Sequence, residues 1–332
     1  MKTRLQRLLH AALRDAGLAL VLAVPCACAK PPTLPPPTDL SSQAVAALKA
    51  NDARPKPKSN GMDDRRAWSE GVQQEIGQPR LQRYAVTMEE RTLAGVPVRV
   101  FTSARTRDDG PLLVDLPGGG FMVDAGSITE NAPITGLTGY RVVSVRYRMS
   151  PEHAYPDALD DADAVWQALR AQYPNARMGL YGTSAGAILS GQLIARLKAR
   201  GEPLPAALGF FSGSADLSSS GDSMTLFGDP TGAKVLVRAY LRLHDVEDPR
   251  VSAARGDLSG WPPTLCLTSS RDILLSPTAA FCHKLDAAGV RSQLVVYDGL
   301  PHAFWAYIDA PETDAAFADM AAFFRRTLEA QR

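Results

Sequence analysis

Residues 179–186 read Gly-Leu-Tyr-Gly-Thr-Ser-Ala-Gly and decide the fold, because they lead from an apolar strand into a sharp glycine turn. Gly182, Ser184 and Gly186 have the Gly-x-Ser-x-Gly spacing of a nucleophile elbow, in which the serine stands on a strained turn. The flanking positions require glycine because a side chain there would collide with neighbouring backbone. Residues 178–181 read as a buried strand and residues 185–200 as a helix with one apolar face. The required order of strand, serine and helix is therefore present.

The composition is that of an ordinary globular chain. Its 332 residues, of which 45% are hydrophobic and 21% charged, suffice for one large domain with attachments. The net charge of +1 gives no electrostatic basis for binding nucleic acid or a membrane surface. No group of His and Cys residues has metal-ligand spacing, so we predict neither a metal nor another cofactor.

The first 29 residues have the features of a signal peptide. A basic segment at residues 2–14 precedes an apolar run at residues 18–24, and residues 27–29 are the small residues that a signal peptidase requires. We therefore expect a secreted or periplasmic protein, with a cytosolic helix as the alternative. The apolar run is too short for a stable membrane span. Pro25 argues against lipid modification of the cysteine that follows it.

Two segments separate this signal from the main domain. Residues 30–40 form a proline-rich, extended linker. Residues 41–80 contain two predicted helices, at 41–50 and 68–76, with too few apolar residues for a core of their own. We expect these helices to lie across the main domain, residues 81–332. There, Cys266 and Cys282 either form a disulfide, which export permits, or pack as two buried thiols, which we favour.

From residue 84 onward, strands alternate with helices. This alternation predicts an α/β fold with a mostly parallel, eight-stranded sheet covered by helices on both faces. Residues 214–261 are polar and irregular for a crossover, and we interpret them as an excursion over the top of the sheet. The predicted strands are residues 84–91, 96–101, 111–116, 141–147, 178–181, 207–211, 264–267 and 293–297, and the main helices are residues 160–170, 185–200, 278–288 and 313–328.

A serine nucleophile needs a base to remove its proton and an acid to orient that base. In enzymes with such an elbow, the acid and then the base follow the serine along the chain. Asp272 follows the seventh predicted strand and His302 follows the eighth, so both lie at carboxyl ends of strands, where sites in open sheets collect. Asp298 is the rival acid, although it is better suited to shaping a turn. We predict a triad of Ser184, Asp272 and His302.

The same reaction needs backbone N–H donors for the developing oxyanion. The glycine run Gly118, Gly119 and Gly120 directly follows the strand at residues 111–116. A flexible turn is the alternative interpretation. Its position before the first crossover helix is where the oxyanion loop belongs.

A second motif identifies a family resemblance. Residues 147–162 read Tyr-Arg-Met-Ser-Pro-Glu-His-Ala-Tyr-Pro-Asp-Ala-Leu-Asp-Asp-Ala. They resemble the Tyr-Arg-x-x-Pro-Glu-His-x-x-Pro-x-x-x-x-Asp segment of the hormone-sensitive-lipase family of α/β-hydrolases, in the bacterial esterase branch with a Gly-Thr-Ser-Ala-Gly elbow. The resemblance covers residues 84–328 and implies an α/β-hydrolase fold, with residues 41–80 as an N-terminal helical cap.

The resemblance also implies the chemistry. Ser184, Asp272 and His302 would form the catalytic triad of a serine carboxylesterase that hydrolyses short-acyl esters of small molecules through an acyl-enzyme. The oxyanion would bind to the N–H groups of Gly119, Gly120 and Ala185, and Gly118 would assist the loop. The alternatives are deacetylation of a sugar or natural product by the same triad, or a non-catalytic ligand-binding protein. The sequence does not distinguish a monomer from a homodimer.

One departure from the family matters for the oxyanion loop. Pro117 stands where the family has a histidine whose side chain forms a hydrogen bond within the oxyanion loop. The N–H that proline lacks is not needed if Gly119 and Gly120 are the donors, and its fixed φ could hold the loop instead. Three aromatic residues near the site, Phe121, Phe304 and Trp305, are candidates to line the acyl or alcohol pocket, and ordinary core aromatics are the alternative interpretation.

Overall fold

An eight-stranded sheet organises the protein. The computed structural model describes residues 35–329, so the predicted signal peptide and the first part of the linker lie outside the described residues. The strands are β1 (Val86–Leu93), β2 (Val96–Ser103), β3 (Leu112–Leu116), β4 (Arg141–Val145), β5 (Met178–Thr183), β6 (Ala207–Phe211), β7 (Thr264–Arg271) and β8 (Ser292–Pro301). Their spatial order is β1-β2-β4-β3-β5-β6-β7-β8; β2 runs antiparallel to β1 and β4, and the other pairs are parallel. The predicted α/β architecture is confirmed.

Helices cover both faces of this sheet. They are α1 (Ser42–Asp52), α2 (Met62–Arg83), α3 (Asn131–Thr138), α4 (Asp157–Gln172), α5 (Ala185–Ala199), α6 (Gly221–Phe227), α7 (Pro230–Leu241), α8 (Leu275–Ala287) and α9 (Pro311–Glu329), with short 3-10 helices at Ala253–Arg255 and Phe304–Ala306. Successive strand residues face opposite sides, so Leu113 and Val114 of β3 enter two different core clusters. Helices α4, α5 and α8 contribute to one cluster, and α1, α3 and α9 to the other.

Helix α2 is longer than the sequence predicts. The expected helix covers residues 68–76, whereas α2 begins at Met62 and ends at Arg83, beyond the predicted domain boundary at residue 80. Acidic residues in the first turn and basic residues in the last turn favour these ends through the helix dipole. Arg80 also anchors the last turn, since its guanidinium donates to the carbonyl oxygens of Thr129 and Trp305 at 2.8 Å each.

The prediction of an irregular segment at residues 214–261 was wrong in one respect. This segment contains helices α6 and α7, and Leu236 of α7 lies 3.5 Å from the position that a Cβ on Gly120 would occupy. Helix α7 contains three consecutive apolar residues at positions 235–237, of which Val235 and Leu236 remain exposed, whereas Tyr240 and Leu241 at its end are buried. Helix α7 therefore lies over the glycine loop.

The structure also bears on the state of the cysteines and on membrane-spanning helices in the described part of the chain. Cys266 of β7 and Cys282 of α8 are buried free thiols, in agreement with the favoured expectation. Over residues 35–329, every helix is too short or too polar to traverse a bilayer.

Asp115 of β3 is a buried carboxyl with one oxygen, Oδ1, that has no hydrogen-bond partner among the described residues. Burial raises the pKa of Asp115 above its ordinary value, against the hydrogen bonds from Ser144 and Asn131. Because the folded state holds this proton more tightly than the unfolded state, stability falls as pH rises from about 4 through the neutral range. We expect Asp115→Asn to raise the thermal midpoint more at pH 8 than at pH 5. An equal change at both pH values would contradict this account.

Candidate active site

Ser184 stands on a strained turn between β5 and α5. Its backbone has φ 57° and ψ −118°, which lies outside the regions that L-residues ordinarily occupy. A Cβ on Gly182 would lie 2.3 Å from the carbonyl carbon of Gly186, and one on Gly186 would lie 1.7 Å from the carbonyl oxygen of Leu116. Only glycine fits either position. The N–H of Ser184 donates to the carbonyl of Phe211 at 2.9 Å, which ties the turn to β6.

The structure brings Ser184, His302 and Asp272 together. His302 follows β8, and its Nε2 lies 2.9 Å from Ser184 Oγ. Its Nδ1 lies 2.6 Å from Asp272 Oδ1. The Tyr307 hydroxyl donates to the His302 carbonyl and fixes the histidine segment from its far side. A continuous chain of hydrogen bonds therefore connects a buried carboxylate, an imidazole and the hydroxyl on the strained turn.

Asp272 lies immediately after β7, which extends through Arg271 rather than ending at residue 267 as predicted. Its carboxylate is fully buried and accepts hydrogen bonds from the Thr268 hydroxyl at 2.7 Å, the Ser212 hydroxyl, and the Leu274 N–H at 2.8 Å. Burial alone would raise the pKa of Asp272, but His302 and these donors outweigh it and lower the pKa below its ordinary value. Asp272 therefore stays ionised beside His302.

Ser212 and Thr268 were missed by the reasoning from sequence. Ser212 directly follows β6 and has φ 46°, so the available signal was a polar residue at the carboxyl end of a buried strand. The rival acid Asp298 lies within β8 and accepts from the Ser270 hydroxyl at 2.7 Å. The acid that contacts His302 is Asp272.

The glycine loop packs directly against the elbow. A Cβ on Gly118 would lie 2.8 Å from the carbonyl oxygen of Thr183 and 3.5 Å from Ser184 Cβ. Gly119 has φ 118° and Gly120 has φ 64°, both conformations that favour glycine. Ala185 is the first residue of α5, where helix N–H groups lack acceptors within the helix. No backbone acceptor among residues 35–329 engages the N–H groups of Gly119, Gly120 or Ala185.

Other contacts hold this loop in the absence of the family's histidine. The Tyr147 hydroxyl, which is buried, donates to the Pro117 carbonyl at 2.6 Å. Phe121 stacks on Tyr240 of α7 with ring centroids 3.6 Å apart and planes within 3°. The Tyr240 hydroxyl donates to Gln192 of the elbow helix at 2.6 Å. The loop is therefore fixed to the segment that follows β4 and, through α7, to α5.

Of the two interpretations of Phe304 and Trp305, the structure supports the one in which they are core aromatics. Both side chains are fully buried in the core, because the 3-10 helix after His302 turns them inward. Phe121 is also almost fully buried, under Tyr240.

We expect Tyr147→Phe to lower kcat by about threefold to tenfold and to destabilise the protein by about 1–3 kcal/mol, because the buried Pro117 carbonyl loses its partner. Steady-state kinetics and thermal unfolding measure both effects. Tyr297→Phe is the matched control, since that hydroxyl donates to Asp319 on the surface at 2.7 Å. Equal effects of the two variants would show that the contact with Pro117 does not position the loop.

No group of three or more His, Cys, Asp or Glu residues in the described part of the chain is arranged to hold a metal ion. The arrangement at Ser184 supports nucleophilic chemistry that uses a hydroxyl, an imidazole and a carboxylate.

Comparisons with known proteins agree with this geometry. The profile of the family described as "alpha/beta hydrolase fold" matches residues 113–306. An esterase of Acinetobacter venetianus is 34% identical over 226 residues, which cover 64% of this chain and 74% of the esterase. An acetyl-hydrolase of Streptomyces hygroscopicus is 31% identical over 232 residues, which cover 66% of this chain and 77% of that protein.

Solved structures give the same result. The crystal structure of esterase E25 superposes with a TM-score of 0.76 at 32% identity, and the match covers 90% of this chain and 98% of that one. A bacterial hormone-sensitive-lipase-family esterase superposes with a TM-score of 0.76 at 27% identity, over 86% of this chain and 97% of that one. The chain belongs to the α/β-hydrolase family, in the hormone-sensitive-lipase group that its motifs predict.

Proposed function

We propose that this protein is a serine carboxylesterase that acts on short-acyl esters. The observation that carries the proposal is the hydrogen-bonded series Ser184, His302 and Asp272, with distances of 2.9 and 2.6 Å and an ionised acid at its end. His302 Nε2 takes the proton as Ser184 Oγ attacks the ester carbonyl, and Asp272 stabilises the imidazolium that forms. His302 then returns this proton to the departing alcohol, which leaves an acyl-enzyme on Ser184.

Water completes the cycle. His302 removes a proton from water, the hydroxide formed attacks the acyl carbonyl, and the returned proton releases Ser184 with a free carboxylic acid. In both halves, we assign the carbonyl oxygen to the N–H groups of Gly119, Gly120 and Ala185. The last of these belongs to the first turn of α5, whose dipole also favours negative charge.

The preference for short acyl groups is supported by the covering of the loop. Leu236 of α7 lies against Gly120, and the Phe121–Tyr240 stack closes the loop on that side. The acetyl-hydrolase relative favours a second candidate substrate, an acetyl ester on a sugar or natural product. Both candidates use the same triad and differ in the alcohol that leaves.

The test is hydrolysis of p-nitrophenyl esters from acetyl to long acyl chains, combined with fluorophosphonate labelling of the serine. We expect kcat/KM to be highest for short acyl chains and one phosphonate adduct to form on Ser184. A protein that neither hydrolyses any ester nor takes up the phosphonate would overturn the proposal. A kcat/KM for acetylated sugars well above that for p-nitrophenyl acetate would select the second candidate.

We further propose that the protein is exported. The basic segment, apolar run and small residues of positions 1–29 support this proposal. N-terminal sequencing of the protein recovered from outside the cytoplasm is expected to begin near Lys30. Full-length protein recovered only from the cytoplasm would contradict it.

A further inference from the structure

Glu130 is a buried carboxyl that the mechanism above does not use. It directly precedes α3, and its side chain is almost fully buried. Both of its oxygens are engaged, because the Thr183 hydroxyl donates to Oε2 at 3.1 Å and the Trp305 indole N–H donates to Oε1 at 3.1 Å. Burying a carboxyl group costs free energy of folding unless hydrogen bonds compensate for it. The identity of the two residues that bond to Glu130 therefore indicates what this carboxyl group does.

Those two partners belong to the segments that carry the reacting groups. Thr183 is the last residue of β5 and precedes Ser184 in the chain. Trp305 lies in the 3-10 helix three residues after His302. One carboxyl group therefore joins the end of the serine strand to the segment that carries the histidine.

We propose that Glu130 is a positioning residue that maintains the separation of Ser184 and His302 by holding Thr183 and Trp305 on one carboxyl group. The inference rests on the proposed esterase function. A displacement of about 1 Å between reacting groups is enough to cost about 100-fold in rate, so a link of this kind has a measurable effect.

The backbone around Glu130 is shaped for its carboxyl group. A Cβ on Gly126, which has φ 153°, would lie 3.0 Å from the carboxyl carbon, so a larger residue would displace the side chain. Arg80 of α2 joins the same segments through the backbone, because it donates to the carbonyls of Thr129 and Trp305. Side-chain and main-chain contacts therefore meet where the start of α3 faces the histidine segment.

The protonation state of Glu130 suggests how to replace it. Burial, with the nearby Asp115 carboxylate adding to it, raises the pKa of Glu130 well above its ordinary value. This shift favours the neutral carboxyl group, for which the neutral amide of glutamine is a close substitute. In Glu130→Gln the amide oxygen accepts from the Trp305 N–H, and the amide nitrogen donates to the Thr183 hydroxyl. Glu130→Leu keeps the volume and loses both contacts.

The experiment compares kcat, KM and the thermal midpoint of Glu130→Leu, Glu130→Gln and a control, Ile134→Ala. The apolar side chain of Ile134 is fully buried in α3 and forms no hydrogen bond with the Glu130 carboxyl group, so its truncation destabilises the same helix. We expect Glu130→Leu to lower kcat by about 10- to 100-fold with KM within about twofold. Glu130→Gln should retain kcat within about threefold, and Ile134→Ala should lower the thermal midpoint while kcat below that midpoint stays near wild type.

The single partners give a second measurement if Glu130→Leu does not fold. Thr183→Val and Trp305→Phe each remove one donor and are expected to lower kcat several-fold. When either substitution is combined with Glu130→Gln, its effect on kcat should not add to that of Glu130→Gln, because the residues contact one another. Unchanged kcat in all of these variants would overturn the inference. So would an Ile134→Ala variant that loses as much kcat as Glu130→Leu, or a Glu130→Gln variant as impaired as Glu130→Leu.

The phosphonate reaction separates this inference from the proposed function. If the wild type is active and Ser184 of Glu130→Leu takes up the phosphonate at the wild-type rate, only the positioning role is overturned. A wild type that is inert toward both ester and phosphonate would overturn the proposed function, and the inference with it. Slower phosphonate uptake by Glu130→Leu than by Ile134→Ala would support the inference.

Discussion

Ser184→Ala is expected to lower kcat by about 10⁴- to 10⁶-fold, because His302 then has no hydroxyl to activate. His302 Nε2 lies 2.9 Å from the oxygen that the substitution removes. The variant should still bind ester with an affinity close to that of the wild type, because the glycine loop and α7 are unchanged. Hydrolysis of p-nitrophenyl acetate and intact-mass detection of the acyl-enzyme measure the effect. Residual turnover within 100-fold of wild type would mean that another residue is the nucleophile.

A glycine at the same position provides the control. Ser184 has φ 57° and ψ −118°, which costs a residue with a Cβ about 1–3 kcal/mol. Ser184→Gly should therefore be as inactive as Ser184→Ala but unfold at a higher temperature, because glycine adopts this conformation without strain. The comparison separates loss of the hydroxyl from loss of the fold. If Ser184→Gly unfolds at a lower temperature than Ser184→Ala, the turn does not store strain.

The hydrogen-bonded arrangement of Ser184, Asp272 and His302 could be predicted from sequence because it follows from local rules. Parallel strands end at one edge of the sheet, and Ser184, Asp272 and His302 each follow such an end. The glycines of the elbow are also a local signal, because Gly182 and Gly186 each stand where another backbone segment comes too close for a side chain. Strand positions were predictable for a related reason, because the buried parallel strand β6 is a continuous apolar run and β3 is apolar apart from Asp115.

The contacts that hold the triad could not be predicted in this way. Glu130 contacts Thr183 and Trp305 across 53 and 175 residues of chain, and no periodicity reports such a pairing. In the same way, nothing local indicates that the Tyr147 hydroxyl reaches the Pro117 carbonyl. Helix α7 was missed because Val235 and Leu236 remain exposed, although Tyr240 and Leu241 at its end are buried in the core. These features depend on contacts between residues that are far apart in sequence, which local helix and strand propensities do not indicate.

We expect Gly119→Ala to lower kcat by about 10²- to 10³-fold, the cost of losing one oxyanion donor. Gly119 has φ 118°, and a Cβ there would lie 1.9 Å from the carbonyl oxygen of Val123, so the loop must open to accept it. Rotation of a side chain cannot relieve this clash, because the oxygen belongs to the backbone of the same turn. The opening would move the N–H groups of Gly119 and Gly120 away from Ser184. The change should appear in kcat rather than KM, because the donors act mainly on the oxyanion of the transition state.

Gly120→Ala is the matched comparison one residue further along the loop. Gly120 also has a positive φ, 64°, which costs alanine about 1–2 kcal/mol, but the nearest atom to its Cβ is a methyl of Leu236 at an ordinary 3.5 Å. The two variants therefore share backbone strain and differ in the steric clash. We expect Gly120→Ala to lose less than about tenfold in kcat, an order of magnitude less than Gly119→Ala. Equal losses would assign the effect to backbone strain, and an active Gly119→Ala would remove Gly119 from the oxyanion site.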